Sequence, residues 1–160
     1  MRLRRSILLG LCTPLAVACS RPSASPSPVA AASVAAPAVD PARKALLATL
    51  PARYQGADLY NGQAKFALCR SCHTVTRGAP ATIGPNLWGV FGRRAGRARG
   101  FAYSSGLKAL NVTWDADTID AWIANPRAMV PGTKMTYVGL ENPEDRIDVI
   151  AYLKTVTTAR

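Results

Sequence analysis

Cys69-Arg70-Ser71-Cys72-His73 is the stretch that decides how this chain folds. Two thiols three residues apart on a turn of helix can add to the two vinyl groups on one side of a haem, and the adjacent imidazole then points at the iron. Covalent capture and axial ligation thus come from one local segment. A structural zinc site would need a fourth nitrogen or sulfur ligand. The only other cysteines, Cys12 and Cys19, lie near the N-terminus, and His73 is the only histidine. A thioredoxin-like redox pair would expect a βαβ context, and the flanking sequence supplies none.

A single histidine excludes a second haem with its own axial histidine, and a bis-histidine haem as well. The sixth ligand must come from elsewhere. Met1 leaves with the leader, so the thioether candidates are Met129 and Met135, with lysine a weaker alternative. Met129, in Ala128-Met129-Val130-Pro131, has the surroundings of a core residue. Met135 lies in Pro131-Gly132-Thr133-Lys134-Met135-Thr136, which reads as a polar loop. Iron ligation gives an apolar sulfur a reason to be there.

The N-terminus places Arg2, Arg4 and Arg5 before an uncharged apolar run from Ile7 to Ala18. This is the layout of a secretory signal peptide over residues 1–18, too short for the roughly 20 apolar residues of a bilayer span. The run ends in Leu15-Ala16-Val17-Ala18-Cys19-Ser20, similar to a bacterial lipobox, with Ala16 where Leu is usual. Cys19 is therefore the candidate lipidation site and first mature residue. Simple cleavage with release of a soluble protein is the alternative. Residues 20–52 read as a disordered linker, because Arg21 to Pro41 is almost wholly Ala, Ser, Pro and Val and can bury little apolar surface. Residues 53–158 remain for one domain, small enough to gain from an internal apolar template.

The domain reads as all-α. Asp58 to Leu68 carries Leu59, Phe66 and Leu68 as the apolar residues of a helix running into the cysteine motif. Asp115 to Ala124 opens on acidic residues and stops before Asn125-Pro126. Pro143 to Thr155 places Ile147, Ile150, Ala151 and Leu153 on one face. The first and last of these helices are expected to cross. Arg77 to Gly100, rich in Gly and Pro, reads as loops that wrap the cofactor.

On these residues the segment from about Gly56 to Leu153 resembles class I cytochromes c, the mitochondrial and bacterial c2-like type. The matching strings are Cys69 to His73, Gly84-Pro-Asn-Leu-Trp-Gly-Val-Phe-Gly-Arg93, Trp114, Asn125-Pro126, Pro131-Gly-Thr-Lys-Met135 and Arg146 to Leu153. The resemblance implies the small cytochrome c fold, helices and loops around one covalent haem c held by Cys69 and Cys72. His73 and Met135 are then its axial ligands. It also implies that Pro85 offers its carbonyl to the His73 ring N–H. Arg93, Tyr103 and Trp114 would donate to a buried haem propionate, and Thr133 would line the crevice near the sulfur. Trp122 stands where the mitochondrial proteins have a tyrosine near that sulfur, Leu107 where they have an asparagine bonded to a buried water, and Trp88 where they have a surface histidine.

The function implied is that of a one-electron carrier, not an enzyme, a monomer held on the periplasmic side by its lipid anchor. It would run between acidic redox partners such as a quinol-oxidising complex and a terminal oxidase. A haem peroxidase or a gas-sensing module would need an open iron position. The formal charge is +11; of 20 Lys and Arg, three leave with the signal, so 17 face nine Asp and Glu at +8. Export, a haem site and the lack of a nucleic-acid motif argue against a nucleic-acid partner. Arg93, Arg94, Arg97 and Arg99 read mostly as a solvated loop. In the family a lysine ring surrounds the exposed haem edge; here Arg70, Arg127 and Lys134 flank the haem motifs and predict a similar basic face.

Overall fold

The computed structural model describes residues 40–159. The signal peptide, Cys19 and the linker as far as residue 39 lie outside the described residues. Seven helices follow in order: α1 (Pro41–Leu47), α2 (Ala52–Gln55), α3 (Leu59–Arg70), α4 (Ser105–Ala109), α5 (Ala116–Ala124), α6 (Pro126–Met129) and α7 (Pro143–Thr157). Among the described residues there is no strand, only one antiparallel bridge between Arg94 and Thr113. No helix there is long and apolar enough to cross a membrane.

Each long helix starts where its side chains can satisfy the free backbone N–H groups. The Asp58 carboxylate accepts from the backbone N–H of Tyr60 and Asn61. Asn142 does the same for Glu144 and Asp145, with Pro143 in the first turn. Asp115 accepts from Thr118 at the head of α5.

The terminal helices α3 and α7 cross as the apolar pattern predicts, and Gly62 sets how closely. A Cβ at that position would lie 2.6 Å from the Asp148 carbonyl carbon and 2.9 Å from the Tyr152 Cβ. Around the crossing Phe66 packs on Tyr152 with ring centroids 5.5 Å apart. The Asn61 amide donates to Asp145 at 2.9 Å and Asp148 at 2.7 Å. Gly62→Ala must push the helices apart, a strain of about 1–3 kcal/mol for an added methyl in a packed site. The expected result is a fall in the thermal midpoint of the holoprotein by roughly 4–8 °C per kcal/mol, read by circular dichroism.

One reading of the sequence needs correction. The linker of residues 20–52 ends earlier than its composition suggests, because Pro41–Leu47 is helical, opened by Pro41 and by Asp40 accepting from the Arg43 N–H. Leu47, Leu50 and Tyr54 are all buried, and α1 and α2 both pack against α7. Tertiary burial of these three side chains stabilises a helix too short to stand alone. The Tyr54 hydroxyl also donates to Asp117 at 2.9 Å, and Arg53 pairs with the same carboxylate at 2.6 Å. The folded unit therefore begins near residue 40 and not at 53. Leu68, in turn, is 59 % exposed while Phe66 is buried. Positions two apart on a helix point to opposite sides, so both cannot join one buried face.

Candidate functional site

The last turn of α3 presents Cys69, and the chain then curls so that the N–H groups of Cys72 and His73 both return to the Cys69 carbonyl, at 3.1 and 2.9 Å. This tight turn holds both sulfurs and the imidazole in one place. The His73 Nδ1–H donates to the Pro85 carbonyl at 2.8 Å. With Nδ1 so engaged, Nε2 is left as the lone pair available to a metal. The loop approaches through a glycine: a Cβ on Gly84 would lie 2.7 Å from Nδ1, so no larger residue could press against the ring. The Gly84 N–H also donates to the Cys72 carbonyl at 2.8 Å.

These groups open onto a cavity of about 340 Å³. Its walls are mostly apolar, with Phe66, Leu107, Trp114, Trp122 and Leu153 among them. Cys69 and Cys72 are free thiols at its edge. Burial, aided by the neighbouring Cys72, pushes the Cys69 thiol up to about 11. Burial lowers the His73 pKa and favours the neutral, ligating imidazole, an effect that the Pro85 carbonyl partly opposes.

The structure separates the two methionines. Met135 lines the cavity, and its backbone N–H donates to Thr133 Oγ1 at 3.2 Å, with Thr133 lining the same wall. Both methionines pack against the core, but Met129, at the end of α6, is absent from the cavity wall. The Lys134 ammonium donates to the Ala102 carbonyl at 2.8 Å and ties the Met135 loop to the segment just before Tyr103.

Arg93, Tyr103 and Trp114 all line the cavity. The Trp114 backbone N–H donates to the Arg93 carbonyl at 2.9 Å. The Arg93 guanidinium donates to the carbonyls of Trp88 and Asn86, both at 3.1 Å. Burial lowers the Arg93 pKa and raises that of Tyr103, which stacks edge-on against Phe101 at 4.8 Å. Leu107 and Trp122 both line the cavity, whereas Trp88 does not. Of the three cations expected to form a basic face, Lys134 lines the cavity and Arg70 and Arg127 are exposed outside its lining. The sequence reading missed the contact of Gly84 with the imidazole, for which the adjacent Pro85 was the only signal.

The donor set can be tested against what it would hold. Among the described residues no group of three or more His, Cys, Asp and Glu is arranged to bind a bare metal ion. Two thiols, one neutral imidazole and one thioether around a large apolar cavity instead suit a flat, mostly apolar ring carrying an iron.

The comparisons with known proteins agree. The family model for cytochrome c matches residues 59–157. This chain belongs to the cytochrome c family. Cytochrome c2 of Rhodomicrobium vannielii is 46% identical over 102 residues, covering 64% of this chain and 82% of that protein. Cytochrome c of Kluyveromyces lactis is 41% identical over 105 residues, covering 65% and 96%. The solved structure of cytochrome cH from Methylobacterium extorquens superposes with a TM-score of 0.58 at 42% identity, over 62% of this chain and 99% of that one. Like its relatives, this cytochrome c carries one covalent haem c and is an electron carrier, not an enzyme.

Proposed function

We propose that this cytochrome c carries single electrons between redox complexes outside the cytoplasm, with its haem bound through Cys69 and Cys72 and its iron held between His73 and Met135. The observation that carries the reading is the meeting of the His73 imidazole and the Met135 thioether in one apolar cavity edged by the two thiols. The haem supplies a one-electron couple, and the rest is done by the chain. Pro85 fixes the imidazole through Nδ1 and raises its basicity. Thr133 and Lys134 hold the methionine loop in place. The surrounding aromatic and aliphatic side chains exclude water, which lowers the local dielectric and helps set the potential. Arg93, Tyr103 and Trp114, which all line the cavity, are the donors proposed to receive a propionate.

An iron with both axial positions filled has no place for a small gas, so a carbon monoxide titration tests the carrier directly. The reduced holoprotein is expected to keep its Soret band unchanged under carbon monoxide. A rapid shift of that band would mean an open iron, as a peroxidase or gas sensor requires.

The partners proposed are redox proteins such as a quinol-oxidising complex and a terminal oxidase, met by a monomer tethered through a lipid on Cys19. The lipobox-like string ahead of a Pro- and Ala-rich spacer supports the tether. Cys19→Ala is expected to turn a membrane-associated protein into a soluble or unprocessed one. Mass spectrometry of the mature N-terminus checks the chemistry: the absence of added acyl mass would leave simple cleavage as the answer.

A further inference from the structure

Between Met135 and the start of α7 the chain runs as a loop, and its tail is fastened to α5 and α7 at three consecutive residues. The Leu140 N–H donates to the Ile123 carbonyl near the end of α5 at 2.9 Å. Gly139 crosses that helix end with φ +122°, where a Cβ would lie 3.1 Å from the Ala124 carbonyl carbon. From α7 the Arg146 guanidinium donates through Nη1 to the carbonyls of Leu140 at 2.9 Å and Glu141 at 2.7 Å. Its Nε–H donates to Asp120 of α5 at 2.7 Å. The side chains of this pair are only 14% and 20% exposed, so removing one partner leaves the other's charge poorly solvated.

The same helix is held by the N-terminal strap of α1 and α2, which lies before residue 59, where the match to the family model begins. Asp117 and Asp120 stand three residues apart, on one side of α5. Arg53 pairs with Asp117 at 2.6 Å and reaches Asp120 at 3.8 Å. The Tyr54 hydroxyl donates to Asp117 at 2.9 Å from a wholly buried ring. Asp120 thus stands between Arg53 of the strap and Arg146 of the loop's fastening. The exposed Arg53 pair contributes little by itself, so the strap's grip rests chiefly on Tyr54. With nine residues α5 is too short to hold its place alone, and it carries Ile119, Trp122 and Ile123 to the haem cavity.

We propose that these contacts form one brace for the sixth ligand: Asp120 and Arg146 are positioning residues for Met135, and Arg53 and Tyr54 of the strap steady the helix they act through. This rests on the reading above in which Met135 is an axial ligand. Arg146 and Asp120 keep the loop's tail on α5, and the strap keeps α5 where that tail can reach it. The N-terminal strap therefore reaches the methionine side of the site without touching it, and loosening the strap should make Met135 easier to displace.

Titration of the oxidised holoprotein with imidazole, read by loss of the sulfur-to-iron charge-transfer band, measures how readily Met135 gives way. Added imidazole binds only when the thioether has moved aside, so its apparent affinity rises with the fraction of open loop. Arg146→Lys and Asp120→Asn are each expected to tighten imidazole binding by about tenfold, with the band intact before imidazole is added. R53Q/Y54F, which keeps the buried ring and removes both contacts with Asp117, should tighten it by about threefold to fivefold. Gly62→Ala disturbs the distant crossing of α3 and α7 and should stay within about twofold of wild type despite its lower thermal midpoint. Wild-type affinity in Arg146→Lys and Asp120→Asn, or in R53Q/Y54F, would overturn the brace. So would a Gly62→Ala protein that binds imidazole as tightly as Arg146→Lys, since general stability would then explain the effect. A haem-loaded wild type that shows no charge-transfer band before imidazole is added would overturn Met135 as the ligand, and the brace with it.

Discussion

Met135→Ala is expected to abolish the weak sulfur-to-iron charge-transfer band of the oxidised protein, to lower its reduction potential and to let carbon monoxide bind the reduced form. Among the described residues Met135 is the only methionine on the cavity wall. A thioether is soft and neutral, so it holds ferrous iron better than ferric. For a one-electron couple each decade of that preference is worth 59 mV, so losing about two decades lowers the potential by about 120 mV. Met129→Leu is the control, since Met129 packs against the core from the end of α6. A swap of similar volume there should cost under about 1.5 kcal/mol and leave band, potential and gas binding as they were. Survival of the band in Met135→Ala and its loss in Met129→Leu would reverse the assignment. Survival in both would point to another sixth ligand, with Lys134 the first to examine.

Cys69→Ala and Cys72→Ala are expected each to lower the yield of holoprotein by about tenfold, and the double variant to leave no haem bound after denaturation. Each thiol forms one thioether, and His73 follows Cys72 directly, so loss of either sulfur also loosens the imidazole's aim. The wild-type haem should stay with the chain on a denaturing gel and resist acidified organic solvent. Extraction of haem from the wild type would show that the attachment is not covalent.

The parts of the site that were legible in the sequence are those made by neighbours in the chain. Cys69, Cys72 and His73 share one turn, and their chemistry follows from spacing alone. Met135 stood out because its polar loop gave an apolar sulfur no packing role. The crossing helices showed through the periods of Ile147, Ile150 and Leu153. What was not legible depends on residues far apart in the sequence. The helix at Pro41 to Leu47 owes its stability to α7, about a hundred residues later, so its own Ala- and Pro-containing context said little. Gly84 matters because of a ring eleven residues earlier, and only the folded loop brings them together. Leu68 looked like one more apolar residue of its helix, but Phe66, two positions earlier, faces the core and Leu68 is exposed.

The crossing of α3 and α7 also fixes the order in which this protein must be assembled. α7 contributes Val149 and Leu153 to the cavity wall, so the last helix to leave the ribosome closes the site. Without a ring to pack against, these apolar walls would face water, and the burial that stabilises the domain would not be gained. A chain that has not captured haem therefore gains little by bringing its ends together. Cys69 to His73 escape this difficulty because they lie within five consecutive residues and need no distant partner to engage a ring. Attachment is therefore expected to come first, with the bound ring then serving as the surface on which the N- and C-terminal halves find one another. Until then the polypeptide stays open to the attachment machinery and to proteases alike.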